Sequence, residues 1–187
     1  MEKLLRELSD LRGISGFEYR INEKIKAMIE PYCDEVRIDA LGNVIALKKG
    51  KKSDRSFLIE AHCDEIGLMV SNIDERGFIS FVNIGGVDQR TLPSCEVTVH
   101  GKRDIKGVIG AKPPHVLAPG EADKSIKIKD MSIDTGLSAE EVKEIVSIGD
   151  SVTLPQSVGR LLNSDYSTKT IDDRGGVAAI IEIFKRV

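Results

Sequence analysis

The sequence predicts an α/β fold into which a small all-β, barrel-like domain is inserted. Three observations carry this. Helical and strand-like patterns alternate over residues 1–68, and a helical pattern returns over residues 161–187. Between them, over residues 69–160, short strand-like runs follow one another at turn signals. The stretch FLIEAHCDEIGLMV, Phe57 to Val70, reads as an apolar strand, expected in the interior of the sheet.

The elements follow in order. Met1, Leu4, Leu5, Leu8 and Leu11 fall at helical spacing, with Gly13 as a stop. Ile21, Ile25, Met28 and Ile29 mark a second helix ending at Pro31. VRIDALGNVIALKKG reads as two strands around a Leu-Gly-Asn turn, and the strand at Phe57 comes next. GLMVSNID, FISFVNIG, CEVTVHG, IKGVIG, IKIKDMSID and DSVTL are the short strands of the insertion, divided by turns such as Glu-Arg-Gly and His-Gly-Lys. One helix interrupts them, opened by Ser138 and Glu141 as a capping box. Val177, Ile180, Ile181, Phe184 and Val187 form the apolar stripe of a last helix beginning near Arg174. Three strands and three helices around the insertion leave apolar surface uncovered, so an exposed apolar face or association with another chain is expected.

Composition narrows the function. A net charge of −3 over 187 residues offers no electrostatic case for nucleic acid or an anionic membrane. No apolar run approaches the roughly 20 residues of a membrane span. Three cysteines, Cys33, Cys63 and Cys95, without paired spacing point to reduced thiols and a cytoplasmic location. Aromatic residues make up only 4%, which leaves few platforms for stacking on sugars or bases.

Two motifs carry candidate chemistry. In a strand Glu60, His62 and Asp64 share a face. A neutral imidazole there can bind zinc or cobalt while a neighbouring carboxylate orients it; equally, a strand end can emerge into water, where polar residues need no ligand. In TKTIDDRGGVAAIIE, Asp172 and Asp173 precede the last helix, where one aspartate serves as an N-cap and two exceed that need. Gly175 and Gly176 weaken the first turn, which suggests that something approaches the backbone closely. His115 follows Pro113 and Pro114 in a loop that could border a cleft, and His100 ends a strand at a turn. No serine-hydrolase elbow or phosphate-cradling glycine-lysine motif is present.

GISGFEYRI, DALGNVIALKKG, AHCDEIGLMV, GVIGAKPPH and IDDRGGVAA, in this order and spacing, resemble the dinuclear-metal glutamyl aminopeptidases of the tetrahedral (TET) type, some of which are also labelled endoglucanases or cellulases. The resemblance implies a partial aminopeptidase sheet with helices over 1–68 and 161–187. It makes 69–160 an inserted β domain of the kind that serves dimerisation, and hence implies a homo-oligomer. It further implies two divalent ions, zinc or cobalt, with His62 a terminal metal ligand, Asp172 a bridging ligand and Asp64 the catalytic carboxylate that orients His62. Asp173 is then the cap. Peptide substrates would be cleaved from their N-termini by a metal-bound water.

The family completes its site beyond the bridging aspartate with a Glu-Glu pair, another acidic ligand and a closing histidine. Glu182 is the only acidic residue after Asp173, and no histidine follows His115. The expectation is therefore an N-terminal portion of such an enzyme, weak in metal binding and feeble in turnover. The competing expectations are a catalytically silent assembly module and a glycan hydrolase with two carboxylates about 5–10 Å apart.

Overall fold

A computed structural model describes residues 1–52, 54–111, 125–154 and 159–187. The chain divides into two compact units, Met1–Glu65 with Gln156–Val187 and, inserted between them, Ile66–Pro155.

The first unit opens with α1 (Glu2–Ser9) and α2 (Tyr19–Ile29). α1 ends four residues short of Gly13, and Leu5 and Leu8 are its buried side chains among the leucines. Ile21, Ile25 and Ile29, spaced by four, bury one face of α2. A 3₁₀ turn over Glu30–Tyr32 follows, containing Pro31, which has no N–H to continue an α-helical ladder. β1 (Glu35–Ile38) and β2 (Val44–Leu47) pair antiparallel with Val36 opposite Ala46. The Asp39 carboxylate closes their turn by accepting the backbone N–H groups of Leu41 and Asn43 at 3.0 and 2.9 Å, and Gly42 there has φ +92°.

The stretch after this hairpin departs from expectation. Residues 57–64 form no strand, Phe57 and Leu58 are each 89% exposed, and Ile59 is half-exposed. An apolar run becomes an interior strand only when neighbours supply a ladder and a covering layer, and among the described residues no strand pairs with this one. Ile45 and Leu47 of β2 are also exposed, so the unit does present apolar surface.

The second unit is a closed barrel. β3 (Gly67–Ile73), β4 (Ile79–Ile84), β5 (Glu96–His100), β6 (Asp104–Ala111), β7 (Met131–Asp134) and β8 (Ser151–Thr153) join in the order β3-β4-β7-β6-β5-β8, every pair antiparallel. Closure removes the free edges that short strands would otherwise expose. Alternation along β6 buries Ile105, Gly107 and Ile109 and exposes the residues between. IKIKDMSID is strand only in its second half, because a 3₁₀ turn over Ile128–Asp130 takes up the first. α3 (Ala139–Ile145) has the expected capping box and buries Val142 against the barrel core.

The chain then re-enters the first unit through a small antiparallel pair that the sequence pattern did not reveal, β9 (Gly159–Arg160) with β10 (Tyr166–Ser167). α4 (Ile171–Phe184) follows. Asp172 and Asp173 have non-helical backbone angles, so the regular helix starts at Arg174, where the apolar stripe placed it. Val177, Ala178 and Ile181 of α4 pack with Leu8, Ile21 and Ile25 to form this unit's core. The mixed helix and sheet architecture with a barrel-like insertion is thus the one the sequence predicts. No helix among the described residues is long and apolar enough to cross a membrane.

Candidate metal centre

Two segments more than a hundred residues apart meet in the first unit. The extended segment 57–65 carries His62 and Asp64, and the start of α4 carries Asp172. His62 Nδ1 lies 3.0 Å from Asp64 Oδ1, and His62 Nε2 lies 3.0 Å from Asp172 Oδ1. Ser15 Oγ donates to the other Asp64 oxygen at 2.5 Å. The Asp172 side chain is 94% exposed and therefore open to a further partner.

The electrostatics follow from this placement. Burial works against the charged imidazole, but the hydrogen bonds and charges of Asp172 and Asp64 outweigh it and raise the His62 pKa. If Nδ1–H is given to Asp64, a neutral ring turns its Nε2 lone pair onto a carboxylate oxygen. Two acceptors at 3.0 Å repel each other unless a second proton or a cation stands between them. Two ligand atoms bound to one zinc at about 2.05 Å and the tetrahedral angle lie about 3.3 Å apart, close to the spacing seen here. The donor set therefore fits a divalent cation held between His62 and Asp172, with Asp64 fixing the tautomer. Among the described residues no group of three or more His, Cys, Asp or Glu side chains converges on a metal-sized point.

The other candidates fall elsewhere. The Asp173 carboxylate turns back to accept the Gly176 N–H at 3.0 Å. It fills the space a Gly176 Cβ would take, which is the close approach the paired glycines suggested. His100 is bound between Asp104 and Thr153 within the barrel unit, at 2.9 Å to each. His115 lies outside the described residues. The three cysteines are free thiols. Beside His62 runs a cleft of about 850 Å³. Its walls are mixed, with Ile25, Val44, Phe57, Val177 and Phe184 among the apolar residues and Glu60, His62, Asp64 and Asp173 among the polar ones.

Sequence reasoning missed the buried charges behind the site. Glu65 and Arg174 are almost wholly buried and Lys169 mostly so, with Glu65 ion-paired to both cations. Arg174 Nε donates to the Cys63 carbonyl at 2.8 Å, and Nη1 donates to the carbonyls of Leu8 and Leu11 at 2.9 and 2.6 Å. Burial pulls the Lys169 and Arg174 pKa values down, opposed by the Glu65 carboxylate. The signal was their position: each lies within three residues of a candidate ligand.

Residues 42–187 match the M42 glutamyl aminopeptidase family. The chain belongs to that family. It is 34% identical to the lysyl aminopeptidase of Pyrococcus furiosus over 99% of its own length and 54% of that protein's. Among solved structures it is similar to a TET aminopeptidase of the marine sediment archaeon Thaumarchaeota archaeon SCGC AB-539-E09, with a TM-score of 0.92 and 36% identity over 99% of this chain and 53% of that one. It is also similar to the TET peptidase of Pyrococcus horikoshii, described as assembling into a tetrahedron or a large octahedral shell, with a TM-score of 0.87 and 36% identity over 100% of this chain and 56% of that one. The chain spans about half the length of the family relatives it matches.

Proposed function

We propose that this chain contributes to the centre of a metal-dependent aminopeptidase that releases N-terminal residues from peptides. The observation that carries the reading is the convergence of His62 Nε2 and Asp172 Oδ1 at 3.0 Å, with Asp64 holding the far side of the imidazole. His62 and Asp172 would hold divalent metal, zinc or cobalt, with Asp64 fixing the orientation of the His62 ring. Bound there, the ions supply a water of lowered pKa and polarisation of the scissile carbonyl. The chain's own groups do the rest of the work assigned here. Asp64 keeps the His62 Nδ1 proton in place, Ser15 orients Asp64, and the cleft beside His62 offers peptide side chains apolar and polar contacts.

Among the described residues two ligand candidates are available for two ions, whereas a catalytic zinc takes about three protein ligands and an open position. The general base and remaining ligands are therefore assigned to polypeptide beyond this half-length span, and the chain alone binds metal weakly and turns over little. Its membership of a family with a shell-forming relative supports a homo-oligomer, and the barrel unit is the proposed interface. The free thiols suit a cytoplasmic location.

Titration with cobalt(II), followed by visible absorption and calorimetry, tests the reading. Binding that disappears in His62→Ala and in Asp172→Ala is expected. Metal uptake indifferent to both substitutions removes the centre, and robust peptidase turnover by this chain alone removes the assignment of its missing groups.

A further inference from the structure

The geometry points to Arg174 and Glu65 as positioning residues that hold His62 against Asp172; the inference rests on the metal-centre reading above. Among the described residues the backbone of the His62 segment is paired only at its end, where Glu65 bridges Ile14 through bonds to Gly13 and Ser15, so the place of His62 itself depends on other contacts as well. The fully buried guanidinium of Arg174 supplies one at the carbonyl of Cys63, the residue between His62 and Asp64. Its Nη1 binds the Leu8 carbonyl in the last turn of α1 and the Leu11 carbonyl just beyond it, with Ser9 O further off at 3.4 Å. Its Nη2 faces Glu65 Oε1 at 3.4 Å, and the same oxygen accepts the Gly13 N–H at 3.2 Å. Lys169 pairs with the second Glu65 oxygen. Arg174 is two residues from Asp172 along the start of α4, so one rigid fork ties the Asp172 segment, the His62 segment and α1 together. A lysine has the charge but not the fork, and could reach only part of this set.

The groups touch neither the candidate metal nor substrate, so their effect must travel through His62. Supporting groups around metal ligands typically change metal affinity by about 10–100-fold. The test compares the full chain with Arg174→Lys, Glu65→Gln and a control, Val36→Ala, which loosens the same core from β1, a strand that does not itself line the cleft. Two readings are taken on each: cobalt(II) affinity with its visible spectrum, and, without metal, the ¹⁵N shifts of the His62 ring nitrogens at one pH with and without Asp172→Asn.

The expected result is a cobalt(II) affinity lowered at least about 10-fold in Arg174→Lys and Glu65→Gln, with helical circular dichroism retained, and within about twofold of wild type in Val36→Ala. The His62 ring should respond to Asp172→Asn in the wild type and the control but not in the two variants. If the wild type takes up no cobalt yet the ring response follows this pattern, the metal reading falls and the positioning role stands. If both variants keep the affinity, spectrum and ring response of the wild type, Arg174 and Glu65 only stabilise the fold and the inference is overturned. Should Arg174→Lys unfold, Glu65→Gln decides, since its amide oxygen still accepts from Gly13.

Discussion

The Asp173–Gly176 contact lends itself to a double-mutant cycle. A Cβ added at Gly176 would lie 2.4 Å from Asp173 Oδ1 and 2.8 Å from its Cγ and Oδ2, distances at which the carboxylate must leave. Gly176→Ala therefore brings two opposed effects. Alanine gains about 0.8–1.0 kcal/mol of helix propensity over glycine. Eviction of the carboxylate forfeits its bond to the Gly176 N–H, an N-terminal cap worth about 1–2 kcal/mol. In the wild-type background the substitution should be neutral or destabilising by up to about 1 kcal/mol. In an Asp173→Ala background the carboxylate is already gone, so the same change should stabilise by about 1 kcal/mol. The coupling is the difference, about 1–2 kcal/mol. Urea denaturation followed by helical circular dichroism reads the right unit, because three of the four α-helices among the described residues belong to it. Additivity within about 0.3 kcal/mol would show that the Asp173 carboxylate does not occupy the space above Gly176, and the local geometry of the site would have to be redrawn.

Other outcomes are as open to measurement. Gly101→Ala would put a Cβ 2.2 Å from the Ile145 carbonyl oxygen, a backbone atom that cannot swing aside, so the barrel unit should lose about 1–3 kcal/mol in thermal or urea melts. Cys63, whose thiol burial pushes up to about 11, should have a thiolate fraction about 100-fold below that of a free cysteine at the same pH, and mass spectrometry after a timed alkylation should find it modified last. Tyr166 donates to Glu2 at 2.7 Å, a hydrogen bond that raises the phenol pKa. Because the folded value exceeds the unfolded one, the stabilisation is complete below the ordinary tyrosine pKa and is lost as pH rises through the folded value. An ultraviolet titration should show one late phenol that ionises earlier in Glu2→Gln.

Local pattern determined a good part of this protein. Helix periodicity placed α2 and α4, the Ser138–Glu141 pair placed α3, and alternation with turn residues marked the barrel strands, because each of these depends on residues only a few positions apart. Motif order along the chain pointed to the family and singled out His62, Asp64 and Asp172. What local pattern could not decide was the state of residues 57–64: the same apolar letters describe an interior strand and an uncovered one, and only the presence or absence of a paired neighbour separates them. Nor could it show Arg174 and Glu65 behind the site. A charge next to a polar motif reads as solvated until the fold buries it, and its burial here depends on the carbonyls of Leu8 and Leu11, more than 160 residues away in sequence. The meeting of His62 with Asp172 belongs to the tertiary structure for the same reason: a 3.0 Å contact across 110 residues is produced by packing three helices into one core, which no short window of sequence contains.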